Sequence, residues 1–132
     1  IANPAETALL YVAFLGIGEN GHLAFNYPPW ADFADPETVK QVRLDEVCRQ
    51  QQVNDGSFAR LAEVPQFALT LTIPTLLDAR QIFCVVPGSR KAAAVHQALQ
   101  GPVSTACPAS VLRKHPAATL YLDIDSAALA QL

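Results

Sequence analysis

The chain has 132 residues, 51% of them hydrophobic and 16% charged, with a formal net charge of −3. That is one domain's worth of sequence with enough apolar content for a core, which excludes a disordered tail or a low-complexity linker. The mild acidity gives no broad attraction for nucleic acid or anionic membrane, and no apolar run or signal-peptide pattern suggests a membrane segment.

The first element is the continuous apolar run at residues 9–15, as expected of a strand buried on both faces. Residues 39–44 alternate and read as a second, more exposed strand. Residues 44–52 are rich in charge and amide and read as a polar helix or an extended loop. "FALTLTI" at 67–73 alternates with β-branched residues and reads as a strand, and Pro74 then opens a short helix. "QIFCVV" at 81–86 reads as another buried strand. It is followed by a helix over 90–100 with Ser89 as N-cap, ended by Gly101-Pro102. Pro108 starts a short helix to about Lys114. Residues 118–124 form a last strand, and Asp125 or Ser126 caps a terminal Ala-rich helix. Strands alternating with helices predict one α/β domain over residues 1–132, a Rossmann-like open, mainly parallel sheet with helices on both faces.

The cysteines, Cys48, Cys84 and Cys107, are odd in number and widely spaced. Neither a disulfide framework nor a zinc site fits them, and a reducing cytoplasm suits them best.

Gly16-Ile-Gly18-Glu-Asn-Gly21 matches G-x-G-x-x-G directly after a predicted strand. A dinucleotide site also needs a helix after the glycines, because the pyrophosphate sits on its N-terminus. Pro28 and Pro29 stop any helix within about a turn, and no acid follows at the expected strand end. The other reading centres on His22, in a glycine-rich loop past a strand's carboxyl end, beside Glu19 and Asn20. Histidine is the side chain most suited to acid–base work near neutral pH, although the same turn could use it structurally. A second constellation is Ser89-Arg90-Lys91. Two cations in a helix's first turn are disfavoured by the dipole unless an anion binds there; a solvated basic pair is the plainer reading.

Four stretches, "LGIGENGHLAFNYPP", "ALTLTIPTLLDA", "VVPGSRKAAAVHQALQGPV" and "CPASVLRKHPAATLYLD", follow one another as in the glucosamine-6-phosphate deaminase (isomerase) family. The chain resembles the C-terminal half of that family, which includes related 6-phosphogluconolactonases, so it is expected to be an incomplete part of the family fold. The resemblance implies an enzyme acting on an amino-sugar phosphate by ring opening, aldose–ketose isomerisation and ammonia release. His22 matches the ring-opening histidine and Lys91 a lysine on the substrate phosphate. Glu19, Asn20 and Tyr27 are the accompanying catalytic candidates, with Gly18, Gly21 and Asn26 as substrate-binding candidates.

The family's phosphate-cradling loop and its proton-transfer acid lie in the other half. These residues alone are therefore expected to lack deaminase turnover. The sequence also departs from the pattern: Asn20 stands where deaminases usually carry Asp, and Tyr27 where they usually carry an acid. An arginine that usually grips the phosphate falls near Asn54. Asn20 can hold the imidazole by a hydrogen bond but cannot stabilise imidazolium by charge. Two other readings therefore stay open, a lactonase-like sugar-phosphate hydrolase and a binding module with weakened catalysis. The expected partner is a small-molecule sugar phosphate, with no nucleic acid and no membrane; self-association stays open. No cofactor or metal is required by any reading.

Overall fold

The structure is a computed structural model and describes residues 10–131. Its centre is a three-stranded parallel sheet in the order β1 (Val12–Leu15), β4 (Gln81–Val86), β5 (Ala118–Leu122). The register pairs Ala13 with Ile82 and Ile82 with Ala118. β2 (Val39–Arg43) and β3 (Phe67–Leu71) form a separate antiparallel pair. They bracket helix α1 (Glu46–Asn54) and a 3₁₀ turn at Leu61–Glu63.

The apolar runs explain the core. On β4, Ile82, Cys84 and Val86 point to one side and are buried. Helix α2 (Ile73–Leu77) contributes Ile73 and Leu76, and α3 (Ala92–Gln100) contributes Ala94, Val95 and Ala98. Small alanines let α3 lie close to the sheet, and Ala109 and Val111 of the 3₁₀ helix Pro108–Lys114 close the same cluster. Two fixed points tie α1 down. Asp45 caps it by accepting from the Cys48 amide at 2.8 Å, and Arg49 donates to the carbonyls of Leu61 and Val64.

The open, mainly parallel α/β sheet is as the sequence predicts, and β4 has the predicted bounds. Residue 9 lies outside the described residues, as does Leu132. Several expectations need correction. Ser89 makes no cap bond: Ser89–Lys91 is a 3₁₀ turn, entered through Gly88 at φ +94°, and α3 starts only at Ala92. The terminal Ala-rich segment is a run of turns, not a helix. There, Asp123 and Ser126 bond reciprocally, the Ser126 amide donating to the Asp123 carboxylate at 2.7 Å. The same carboxylate accepts from the Gly88 amide at 2.9 Å, so Asp123 pins the tail to the β4–α3 loop. On the side of the sheet away from α3, Val12, Phe14 and Val85 are exposed, so helices cover one face among the described residues.

All three cysteines are free and buried, and burial pushes the thiols of Cys48 and Cys84 up to about 12. Among the described residues no helix is long and apolar enough to cross a membrane.

Candidate active site

β1 delivers the chain into a turn that closes on itself. The Gly21 amide donates to the Gly18 carbonyl at 2.9 Å, and the Gly18 amide to the His22 carbonyl at 3.0 Å. Gly21 has φ +79°, and a Cβ there would lie 2.6 Å from Cys107 Sγ, so both conformation and space demand glycine. At Gly18 a Cβ would land on the imidazole of His22. The glycine spacing that resembles a nucleotide fingerprint is thus explained by a histidine ring lying against the turn. Residues Leu23 to Asn26 then form a tight hydrogen-bonded turn with Ala24 at φ +50°, so no helix N-terminus is presented after the glycines.

His22 is 9% exposed. Its Nδ1 lies 2.6 Å from Asn20 Oδ1, which also accepts the His22 backbone amide at 3.3 Å. Since that oxygen can only accept, the geometry places the proton on Nδ1 and leaves Nε2 with its lone pair. No group among the described residues hydrogen-bonds Nε2. Burial first, then the Lys91 ammonium, lowers the imidazole from 6.5 to about 4, against the opposing pull of Asp55. The ring is therefore a neutral proton acceptor at physiological pH.

Lys91 and His22 face the same cleft, of about 460 Å³, with Gly18, Gln51, Gln52 and Asp55. The glycine turn and the loop leaving β4 thus meet on one cleft. The side chains that α1 and its end turn toward this cleft are Gln51, Gln52 and Asp55, and Asn54 is not among them. None of these three stands out in the sequence; the only pointer is Asp55-Gly56, which marks where α1 must end.

The other candidates fall in different places. Glu19 does not line the cleft; it makes a 3.5 Å ion pair with Arg90, which reaches Asp55 at 3.5 Å from its other nitrogen. Half-exposed and long, these pairs align the glycine turn with the end of α1 without adding much stability. Tyr27 is buried behind His22, its ring edge-on to the imidazole at 4.8 Å and 78°. Its hydroxyl lies against the Cys48 thiol without a hydrogen bond of good geometry, and burial first raises its pKa far above the usual value. In this arrangement Tyr27 is a wall for the histidine and not a proton donor in the cleft.

Asn26 is fully buried, and this corrects its expected contact with substrate. Its Nδ2 donates to the carbonyls of Leu23 at 3.0 Å and Leu71 at 2.9 Å. Thr70 Oγ1 accepts the Phe25 amide at 3.1 Å, so the turn is stitched to β3 at two points. Asn26→Ala should cost about 2 kcal/mol, because two side-chain hydrogen bonds made by a buried amide, each contributing about 1 kcal/mol, are lost. Urea denaturation of the two forms checks this.

Among the described residues no group of three or more His, Cys, Asp or Glu side chains could hold a metal. The cleft lies past the carboxyl end of β1 and beside the loop leaving β4. The class is therefore an open α/β domain with its site where strands end, the place such sheets bind ligands.

The comparisons narrow that class to one family. Residues 3–121 match the model of the glucosamine-6-phosphate isomerases/6-phosphogluconolactonase family, and the chain belongs to it. A glucosamine-6-phosphate deaminase from Bacillus thuringiensis (strain Al Hakam) is 41% identical over 128 residues, 97% of this chain and 45% of that protein. A monomeric glucosamine-6-phosphate deaminase of known structure superposes with a TM-score of 0.82 at 36% identity. That match covers 90% of this chain and 47% of the other. A 6-phosphogluconolactonase from Trypanosoma cruzi shares the fold, with a TM-score of 0.64 at 20% identity over 92% of this chain and 42% of its own. The chain spans about half the length of the relatives it matches.

Proposed function

We propose that the chain carries one half of the site of an enzyme that opens, isomerises and deaminates an amino-sugar phosphate such as glucosamine 6-phosphate. The observation that supports this best is the neutral His22 and the cationic Lys91 on one cleft in a member of this family. Lys91 holds the phosphate as a point charge. Nε2 of His22 takes the proton from the anomeric hydroxyl, and the imidazolium so formed returns it to the ring oxygen as the ring C–O bond breaks. Asn20 keeps Nδ1–H in place during both transfers. No cofactor enters these steps. Three buried free thiols fit a reducing compartment, and we place the protein in the cytoplasm.

Lys91→Met should raise KM for glucosamine 6-phosphate by about 10- to 100-fold, since a charge-assisted phosphate contact contributes about 1.5–3 kcal/mol. Steady-state ammonia release with the family's other half present measures it. A KM unchanged within twofold would remove Lys91 from the phosphate site.

A second reading is favoured by Asn20, which supports the imidazolium less well than a carboxylate would. A histidine held neutral suits activation of water, as a sugar-phosphate lactonase needs. A module that binds a sugar phosphate without turnover would use the same cleft. Ammonia release separates deamination from both, and hydrolysis of 6-phosphogluconolactone separates those two. Asn20→Asp should raise ammonia release, because a carboxylate on Nδ1 stabilises the charged ring. Lowered turnover on every sugar phosphate would instead favour the hydrolase.

A further inference from the structure

Asp55 is the only carboxylate on the His22 cleft among the described residues, and the steps derived above do not use it. Its backbone is fixed. The Asp55 amide closes α1 by donating to the Gln51 carbonyl at 2.8 Å, and Gly56 at φ +78° then turns the chain away. An acid there faces the negative end of the helix dipole, and no basic residue stands in the last turn of α1 to offset it. Its protein partners are long. Gln51 Nε2 donates to Oδ2 at 3.4 Å, and Arg90 approaches Oδ1 at 3.5 Å. The side chain stays 35% exposed, so a carboxylate with about four acceptor sites keeps room for a further donor.

The other charge on the cleft is Lys91, and no ion pair joins it to Asp55. After burial, these two are the charges that move the His22 imidazole, Lys91 downward and Asp55 upward. Both therefore act on the same ring. A cleft that holds a cation and a carboxylate apart is complementary to a ligand carrying both signs. An amino-sugar phosphate is such a ligand. Its phosphate sits on C6 and its ammonium on C2, one bond from the carbon whose hydroxyl His22 deprotonates in the proposed reaction. With the phosphate on Lys91 and C1 at Nε2, the ammonium has to lie beside the imidazole, toward the carboxylate whose field that ring already feels.

We infer that Asp55 reads the 2-ammonium of the substrate and so selects a 2-amino sugar phosphate over its 2-hydroxy counterpart. The ammonium donates to the carboxylate on lone pairs that Gln51 and Arg90 leave free. A 2-hydroxy sugar phosphate or a phosphogluconolactone brings no cation and leaves Asp55 facing a ligand of its own sign. The same carboxylate thus weighs against the lactonase alternative. This inference deepens the proposed deaminase reading and rests on it for the placing of the sugar.

The test compares two reduced sugars, 2-amino-2-deoxyglucitol 6-phosphate and glucitol 6-phosphate, by calorimetry with the family's other half present. They differ only at C2, and neither has the C1 aldehyde that turnover needs. The parent should bind the amino form at least about 10-fold more tightly, the effect of one hydrogen bond between charged groups. Asp55→Asn keeps the shape and should bring the two affinities within about threefold by weakening the amino form alone; Asp55→Ser should do the same. Glu46→Gln removes an equal charge from α1 outside the cleft and should leave the preference in place. Circular dichroism confirms that each variant keeps its fold. A preference that survives both Asp55 substitutions, an equal weakening of both ligands, or a loss of preference in Glu46→Gln would each overturn the assignment. An Asp55-dependent preference without ammonia release would sink the deaminase reading and keep this one. Ammonia release with no such preference would do the reverse.

Discussion

Replacing His22 with alanine should lower kcat for the proposed ring opening by about two to four orders of magnitude when the family's other half is present, the usual range for a positioned general acid–base. The reason is that the other groups on the cleft are unsuited. Gln51 and Gln52 do not titrate, Lys91 is committed as the cation, and Asp55 is engaged with Arg90. KM should change little, since the phosphate contact proposed for Lys91 is untouched by the substitution. Added imidazole should restore part of the rate, since the vacated space lies directly over Gly18, where glycine already leaves room for a ring. Stopped-time ammonia assays with and without imidazole measure both effects. Turnover within tenfold of the parent would show that another group moves the proton.

A second large effect concerns acid stability. His22 titrates at about 4 in the folded chain and at its ordinary 6.5 when unfolded. Below 6.5 the unfolded state takes up a proton that the folded state refuses, so stability falls as the pH falls toward 4. The full penalty, present below about 4, is on the order of 3 kcal/mol, of which about 2 kcal/mol is already lost at pH 5. Asp35 beside Lys40, and Asp123 bonded to Ser126 and Gly88, have depressed values. Their stabilisation persists above the carboxylate range and is lost only below about 3.8, so the interval from 6.5 to 4 isolates His22 from them. Urea midpoints at pH 7 and pH 5 should therefore differ, and His22→Gln should flatten that difference. Equal slopes in parent and variant would mean that His22 is not buried in its neutral form.

Much of this is written in local sequence. β4 was legible to the residue because "QIFCVV" is a continuous apolar run between a charged turn and Pro-Gly. The pairing of His22 with Lys91 was legible too, since both sit where strands end. The tail was misread because alanine content favours helix while Asp123 and Ser126 offer the backbone local bonds that end it in turns. The face that α1 turns to the cleft could not be read, as the helix is polar nearly all round and only its anchoring through Arg49 and the β2–β3 pair selects Gln51, Gln52 and Asp55. Tyr27 and Asn26 enter as site candidates through the family resemblance. The reversal at Ala24 and the bonds to β3 instead send both side chains inward, a tertiary outcome that spacing does not encode.

The state of His22 itself decides whether the cleft holds a neutral base. Nitrogen-15 NMR of the histidine-labelled chain, titrated from pH 8 to pH 4, reads tautomer and protonation together. The expected spectrum shows the proton on Nδ1 and a bare Nε2 throughout the range above pH 5, with an apparent pKa near 4. A His22 that titrates at its ordinary 6.5, or that carries its proton on Nε2, would contradict the hydrogen bond to Asn20 and the proton-acceptor role built on it.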